Sequence, residues 1–180
     1  MSRVGKKPIV IPSGVETKIA PGKITVKGPL GEISQAVNPR LEIKRNDNQL
    51  MVERQSNQKM YRELHGLTRN LIANMVTGVT TGYQRVLEIV GVGYRAQVQG
   101  SKIIVALGYS HPIEFNLPDG ITAAVDQKQT QITLTGIDKQ KIGQIAANLK
   151  TLRKTDIYKG KGIRYAGQRL KLKVGKTGKK

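Results

Sequence analysis

The chain has no cysteine in its 180 residues, which removes disulfides, thiolate metal ligands and cysteine nucleophiles together and fits a reducing compartment. Histidine is scarce too. His65 and His111 are the only two, neither stands beside carboxylates at metal-ligand spacing, and packing or surface roles are expected for both. No apolar run approaches the ~20 residues a membrane-spanning helix needs. The short run Ile9 to Ile11 behind the basic start is broken by Pro12, too soon for a secretory signal core. Ser, Asp and Glu are scattered without the spacing of a nucleophile, a base and an orienting group. The expectation is a soluble, non-enzymatic protein with no catalytic residue, no cofactor, no metal, no membrane and no small-molecule substrate.

Acidic residues are the other shortage. Against 12 Asp and Glu stand 31 Lys and Arg, a formal net charge of +19. Self-repulsion of that size opposes a compact state, and a polyanion relieves it by supplying phosphates. The charge is unevenly spread: Lys150 to Lys180 holds 12 Lys and Arg and the single acid Asp156, net +11. That tract is the candidate nucleic-acid surface.

The hydrophobic pattern makes 38% of the chain apolar, enough for packed cores. Alternating residues predict strands at Val15 to Ile19, Lys23 to Lys27, Ile33 to Val37, Leu41 to Lys44 and Leu50 to Glu53. Asn57 as N-cap then opens a helix lined by Met60, Leu64, Leu67, Leu71 and Met75, ending at Gly78. The programme runs again, with strands at Val86 to Val90, Tyr94 to Val98, Ile103 to Leu107, Ile113 to Leu117, Ile121 to Val125 and Ile132 to Thr135. A second helix follows, capped by Asp138 and lined by Ile142, Ile145, Ala146, Leu149 and Leu152. A shift of about 80 residues lays Lys23-Ile-Thr-Val26 on Lys102-Ile-Ile-Val105. The fold class is therefore α+β: two tandem homologous small domains, residues 1–82 and 83–180, each a mostly antiparallel β-sheet packed with one main α-helix.

Two glycine motifs invite nucleotide readings. Gly91-Val-Gly-Tyr-Arg-Ala96 fits a loose dinucleotide pattern, but that fingerprint needs a helix opening at the glycines, and Tyr94 to Val98 alternates like a strand. A tight turn or bulge with Tyr94 and Arg95 at its rim fits better. Gly175-Lys-Thr177 imitates the end of a phosphate-binding P-loop, yet Leu170 stands where the motif wants glycine.

The basic tract differs in kind. In Tyr158-Lys-Gly-Lys-Gly-Ile-Arg-Tyr165, Lys159, Lys161 and Arg164 supply charge and donors, Gly160 and Gly162 allow close backbone approach to a phosphate, and Tyr158 and Tyr165 offer stacking faces. Leu170-Lys-Leu-Lys-Val174 alternates, which predicts a strand burying Leu170, Leu172 and Val174 and aiming Lys171 and Lys173 outward. Arg153, Lys154, Arg169 and Lys176 extend the surface, and Arg95 is a secondary candidate. Glycine and tyrosine between cations suit RNA. A salt-released membrane tail is the competing use of such a tract, and a free RNA chaperone or regulator needs the same basic surface.

These motifs resemble a known family. Tyr158 to Tyr165 with Gly167, the terminal Gly175-Lys-Thr-Gly-Lys-Lys180, the opening Ser2-Arg-Val-Gly-Lys-Lys-Pro8, Val26-Lys-Gly-Pro-Leu-Gly31 and Gly91-Val-Gly-Tyr-Arg95 are similar to the large-subunit ribosomal protein L-six family, bacterial or plastid type. The chain departs from its usual pattern at Thr155-Asp-Ile157 and at Gln168, which bears on local loop geometry. The resemblance implies a structural constituent of the large ribosomal subunit that binds 23S-type rRNA. It implies a place near the stalk base and factor-binding region, beside neighbouring large-subunit proteins, in the cytoplasm or an organelle stroma. It carries rRNA contact onto Lys159, Lys161, Arg164, Tyr165, Lys171, Lys173 and Lys176.

Overall fold

A computed structural model describes residues 4–176. Ser2, Arg3 and residues 177–180, on which part of the resemblance rests, lie outside the described residues. The chain divides into two compact units, Met1–Tyr83 and Gln84–Lys180.

In the first unit β1 (Ile9–Val10), β2 (Glu16–Ala20), β3 (Lys23–Gly28), β4 (Gly31–Ala36), β5 (Leu41–Asn46) and β6 (Gln49–Arg54) precede α1 (Lys59–Thr80). They form two three-stranded sheets in the orders β2-β3-β4 and β1-β6-β5. Period-two alternation puts Ile24 and Val26 of β3 and Leu50 and Val52 of β6 inward, where they join Ile72, Met75, Val76 and Val79 of α1 in one core. Each of these side chains adds ~1.5–3 kcal/mol of hydrophobic stabilisation when fully buried.

The helix departs from the sequence reading at its start and on its buried face. Gln58 holds the N-cap position without a side-chain bond, while Asn57 Oδ1 accepts from Arg54 Nη2 at 2.9 Å, so Asn57 serves the preceding strand. The buried face carries His65, Thr68, Ile72, Met75, Val76 and Val79, and Met60 and Leu67 are exposed. Met75 of the expected stripe is in the core and Leu64 packs against it, so the buried face is rotated from the expected one toward His65. Its ring sits between the Val52 carbonyl, 2.8 Å from Nε2, and Arg54 Nη1, 3.0 Å from Nδ1. Both ring nitrogens are thus engaged in packing the helix against β6.

The second unit repeats the plan. β7 (Tyr83–Val90), β8 (Arg95–Gln99), β9 (Lys102–Ala106), β10 (Ile113–Asn116), β11 (Ile121–Val125) and β12 (Gln131–Gly136) lead into α2 (Lys139–Leu152), and β13 (Gly162–Tyr165) follows. The sheets are ordered β10-β9-β8 and β11-β12-β7-β13. β3 and β9, which the sequence shift superposes, are each the centre of a three-stranded sheet. β1-β6-β5 corresponds to β7-β12-β11, and β13 is an addition on the β7 edge without a counterpart among the first unit's described strands. Asp138 caps α2 as expected, accepting from the N–H groups of Gln140 at 2.8 Å and Lys141 at 3.3 Å. Ile142, Ala146 and Leu149 are its buried residues. Among the described residues no helix is long and apolar enough to cross a membrane.

Candidate nucleic-acid interface

β13 anchors the basic tract. It pairs antiparallel with β7, setting Gly162 opposite Val90, Ile163 opposite Ile89, Arg164 opposite Glu88 and Tyr165 opposite Leu87. Ile163 is fully buried. Its N–H donates to the Arg153 carbonyl at 2.9 Å, so the strand is held both by the sheet and by the end of α2.

Between α2 and β13 the chain closes a turn around Asp156, the one acid of the basic tract. The Asp156 N–H donates to the Lys161 carbonyl at 2.8 Å, and the Gly160 N–H donates to the Asp156 carbonyl at 3.0 Å. Asp156 Oδ2 accepts the Lys159 N–H at 2.8 Å, and that bond is the main reason the carboxyl is held below its ordinary value. At the other end of β13, Gln168 Oε1 accepts the Tyr165 N–H at 3.3 Å. The two places where the chain departs from the family pattern thus both supply an acceptor that closes a turn.

The structure separates the expected contact residues. Lys154, Lys159, Lys161, Arg169, Lys171, Lys173, Lys176 and Arg95 are exposed, and Tyr158 is about half exposed, at 53%. Arg164 is the one among them held in a salt bridge within the described residues, with Nε 2.9 Å from Glu88 Oε2. Tyr165 is half-buried, with Lys150 Nζ 4.8 Å from its ring centre. Arg153 is half-buried over Tyr109, 5.0 Å from the ring centre.

Gly160 and Gly162 are buried, and Gly162 meets the protein's own backbone. A Cβ there would lie 2.7 Å from the Lys154 carbonyl oxygen and 2.9 Å from that of Arg153, at φ +135°. The expected strand at Leu170 to Val174 is absent: Leu172 is 53% and Val174 78% exposed. Alternation buries one face only where a sheet edge is available. Here the segment crosses the 156–160 turn instead, with the Lys173 N–H on the Ile157 carbonyl at 2.9 Å and Leu170 and Leu172 over Gly160. Lys171 and Lys173 reach solvent all the same.

Gly91-Val-Gly-Tyr-Arg95 forms a turn, closed by the Tyr94 N–H on the Gly91 carbonyl at 3.3 Å, and runs into β8 rather than a helix. Tyr94 shares a depression of about 560 Å³ with Tyr109, Thr151, Leu152, Arg153, Lys154, Asp156 and Lys161. The charge of the basic tract points to Arg153, Lys154 and Lys161. Tyr109 gives no such signal, because it follows β9, 44 residues before Arg153 in the chain, in a loop without cationic neighbours.

Comparison with known proteins returns one family. The model of the family described as Ribosomal protein L6 matches residues 11–82 and 90–166, one stretch for each repeat. The chain is 56% identical to the large ribosomal subunit protein uL6 of Caldicellulosiruptor saccharolyticus, over 99% of this chain and 98% of that protein. It is 56% identical to that of Thermodesulfovibrio yellowstonii over the whole of both chains. With that of Dictyoglomus turgidum the identity is 50%, again over the whole of both.

Proposed function

The chain belongs to the ribosomal protein L6 family, and from that premise we propose that it is a structural, non-enzymatic constituent of the large ribosomal subunit that clamps 23S-type rRNA through its basic tract. The observation that carries this reading is the display of Lys154, Lys159, Lys161, Arg169, Lys171, Lys173 and Lys176 as exposed cations on a tract anchored to the sheet by β13. Cations on a rigid support neutralise phosphates at fixed positions and release condensed counterions. The same support fixes the RNA segments that meet there relative to the protein. A place near the stalk base and factor-binding region, beside neighbouring large-subunit proteins and in the cytoplasm or an organelle stroma, is part of the proposal and rests on the family resemblance.

Removing the tract is a poor test, because a chain ending at Thr155 loses Ile163 from its core. Single replacements of Lys159, Lys161, Lys171 and Lys173 by Ala leave the core intact. Affinity for large-subunit rRNA fragments, measured against salt, should fall for each, and the log–log salt slope should flatten by about 0.7–0.9 for every phosphate no longer neutralised. Slopes equal to that of the parent chain would show that the tract does not face the RNA.

A further inference from the structure

The depression beside the tract has features that phosphate binding does not call for. Two tyrosines form part of its wall and a carboxylate lies among its cations. We propose that it receives one unpaired nucleotide of the bound RNA, with the base against the tyrosines and the Arg153 guanidinium, its donor edge on Asp156 and its phosphate on Lys154 and Lys161. This deepens the rRNA-binding reading and rests on it.

Both rings are already held in place in the free protein. The Tyr94 ring occupies space left by two missing side chains: a Cβ on Gly91 would lie 2.5 Å from it, and one on Gly108 2.9 Å. Tyr109 donates its hydroxyl to the Leu152 carbonyl at 3.0 Å and carries Arg153 on its face. Aromatic walls that are already ordered cost little further entropy on binding, and stacking on them tolerates any base. The volume, about 560 Å³, falls within the range of about 300–1,000 Å³ usual for small-ligand sites. Single-stranded positions are where RNA exposes base faces and edges.

Asp156 sets the orientation. A carboxylate repels phosphate and accepts hydrogen bonds from base N–H groups. The Lys159 N–H occupies Oδ2 and the Tyr158 and Ile157 N–H groups also act on it, so a base meets the remaining acceptor capacity of a group with about four such sites. Lys154 and Lys161 attract the phosphate. Guanine, which presents N1–H and N2–H side by side, matches a carboxylate best, and uracil, with one N–H between two carbonyls, matches it worst.

The test uses the full chain. Titrated with guanosine 5′-monophosphate, the NMR ring signals of Tyr94 and Tyr109 should shift saturably. They should shift less with uridine 5′-monophosphate and not at all with inorganic phosphate. Thr151→Trp, at an exposed position on the rim, fills the depression without changing charge. It should abolish the shifts and weaken rRNA-fragment binding about five- to 150-fold, the range for loss of one base stack, with the salt slope unchanged. Equal shifts from phosphate alone, or unaltered rRNA affinity in Thr151→Trp, would overturn the proposal while leaving rRNA binding in place. If the parent chain fails to bind rRNA fragments, the reading beneath it falls, and the guanosine titration still decides whether the depression takes a nucleotide. Should Thr151→Trp not fold, Tyr94→Leu removes a ring at constant charge and is read through the Tyr109 ring signals and the rRNA-fragment affinity.

Discussion

Two glycines of one motif answer to different constraints. Gly160 has φ +67° and only the ends of Leu170 and Leu172 near a would-be Cβ, at 3.5 and 3.6 Å, so Gly160→Ala should cost about 1–2 kcal/mol through the left-handed backbone. Gly162→Ala adds a clash with carbonyl oxygens that cannot swing away, and a loss of about 3 kcal/mol or more is expected. Thermal denaturation of the pair checks the ranking, and equal midpoints would contradict it. Asp156 makes a prediction about pH. Its carboxyl is held below the ordinary value mainly by the Lys159 N–H, so it ionises more readily folded than unfolded. Its contribution to the 156–161 turn is complete above the ordinary carboxylate range and is lost as pH falls through the lowered value. The Lys159 amide signal should follow that titration in the parent chain and lose it in Asp156→Asn. Motif spacing alone treats Gly160 and Gly162 alike and counts Asp156 as an exception to the charge; only the packing around each shows its use.

At the scale of elements, β13 turns a charged tract into a fixed surface. The sequence marks Arg164 as a phosphate contact, but its register opposite Glu88 gives it a partner inside the protein. Arg164→Ala should lower stability by up to about 1 kcal/mol, the range for a partly exposed pair, and change the rRNA salt slope less than Lys161→Ala does. Denaturation midpoints and salt titrations of both variants separate the two roles. The helices show how far pattern reading goes. α2 is legible at its start because Asp138 is followed directly by a single apolar stripe. In α1 the stripe Met60, Leu64, Leu67, Leu71 and Met75 overlaps the buried face only in part: Met75 is in the core and Leu64 packs against it, while Met60 and Leu67 are exposed, and periodicity has no means of placing the face more finely.

For the whole chain, a formal net charge of +19 predicts that the free protein is strained by its own field. Moderate salt should raise its thermal midpoint by screening that repulsion while it weakens RNA binding. A midpoint that falls with salt would mean that local ion pairs such as Lys44 with Glu53 outweigh the repulsion. Duplication explains the framework, and the charge lies mostly outside it. The tract from Lys150 onward carries net +11 and is attached by the one strand that the first repeat lacks among its described residues.

Charge balance, hydrophobic period and capping chemistry are local properties of a chain. The expectation of a polyanionic partner, the duplicated α+β plan and the Asp138 cap are therefore legible in the amino-acid sequence by itself. Convergence is not local. Tyr94 lies after β7, Tyr109 after β9, and Arg153 and Lys161 beyond α2. Their meeting depends on strand register and on how α2 seats against the sheet, terms that belong to the packed molecule. The exposed ends of Leu172 and Val174 follow from the same fact: alternation states that a strand is possible, and only tertiary structure supplies an edge for it to join.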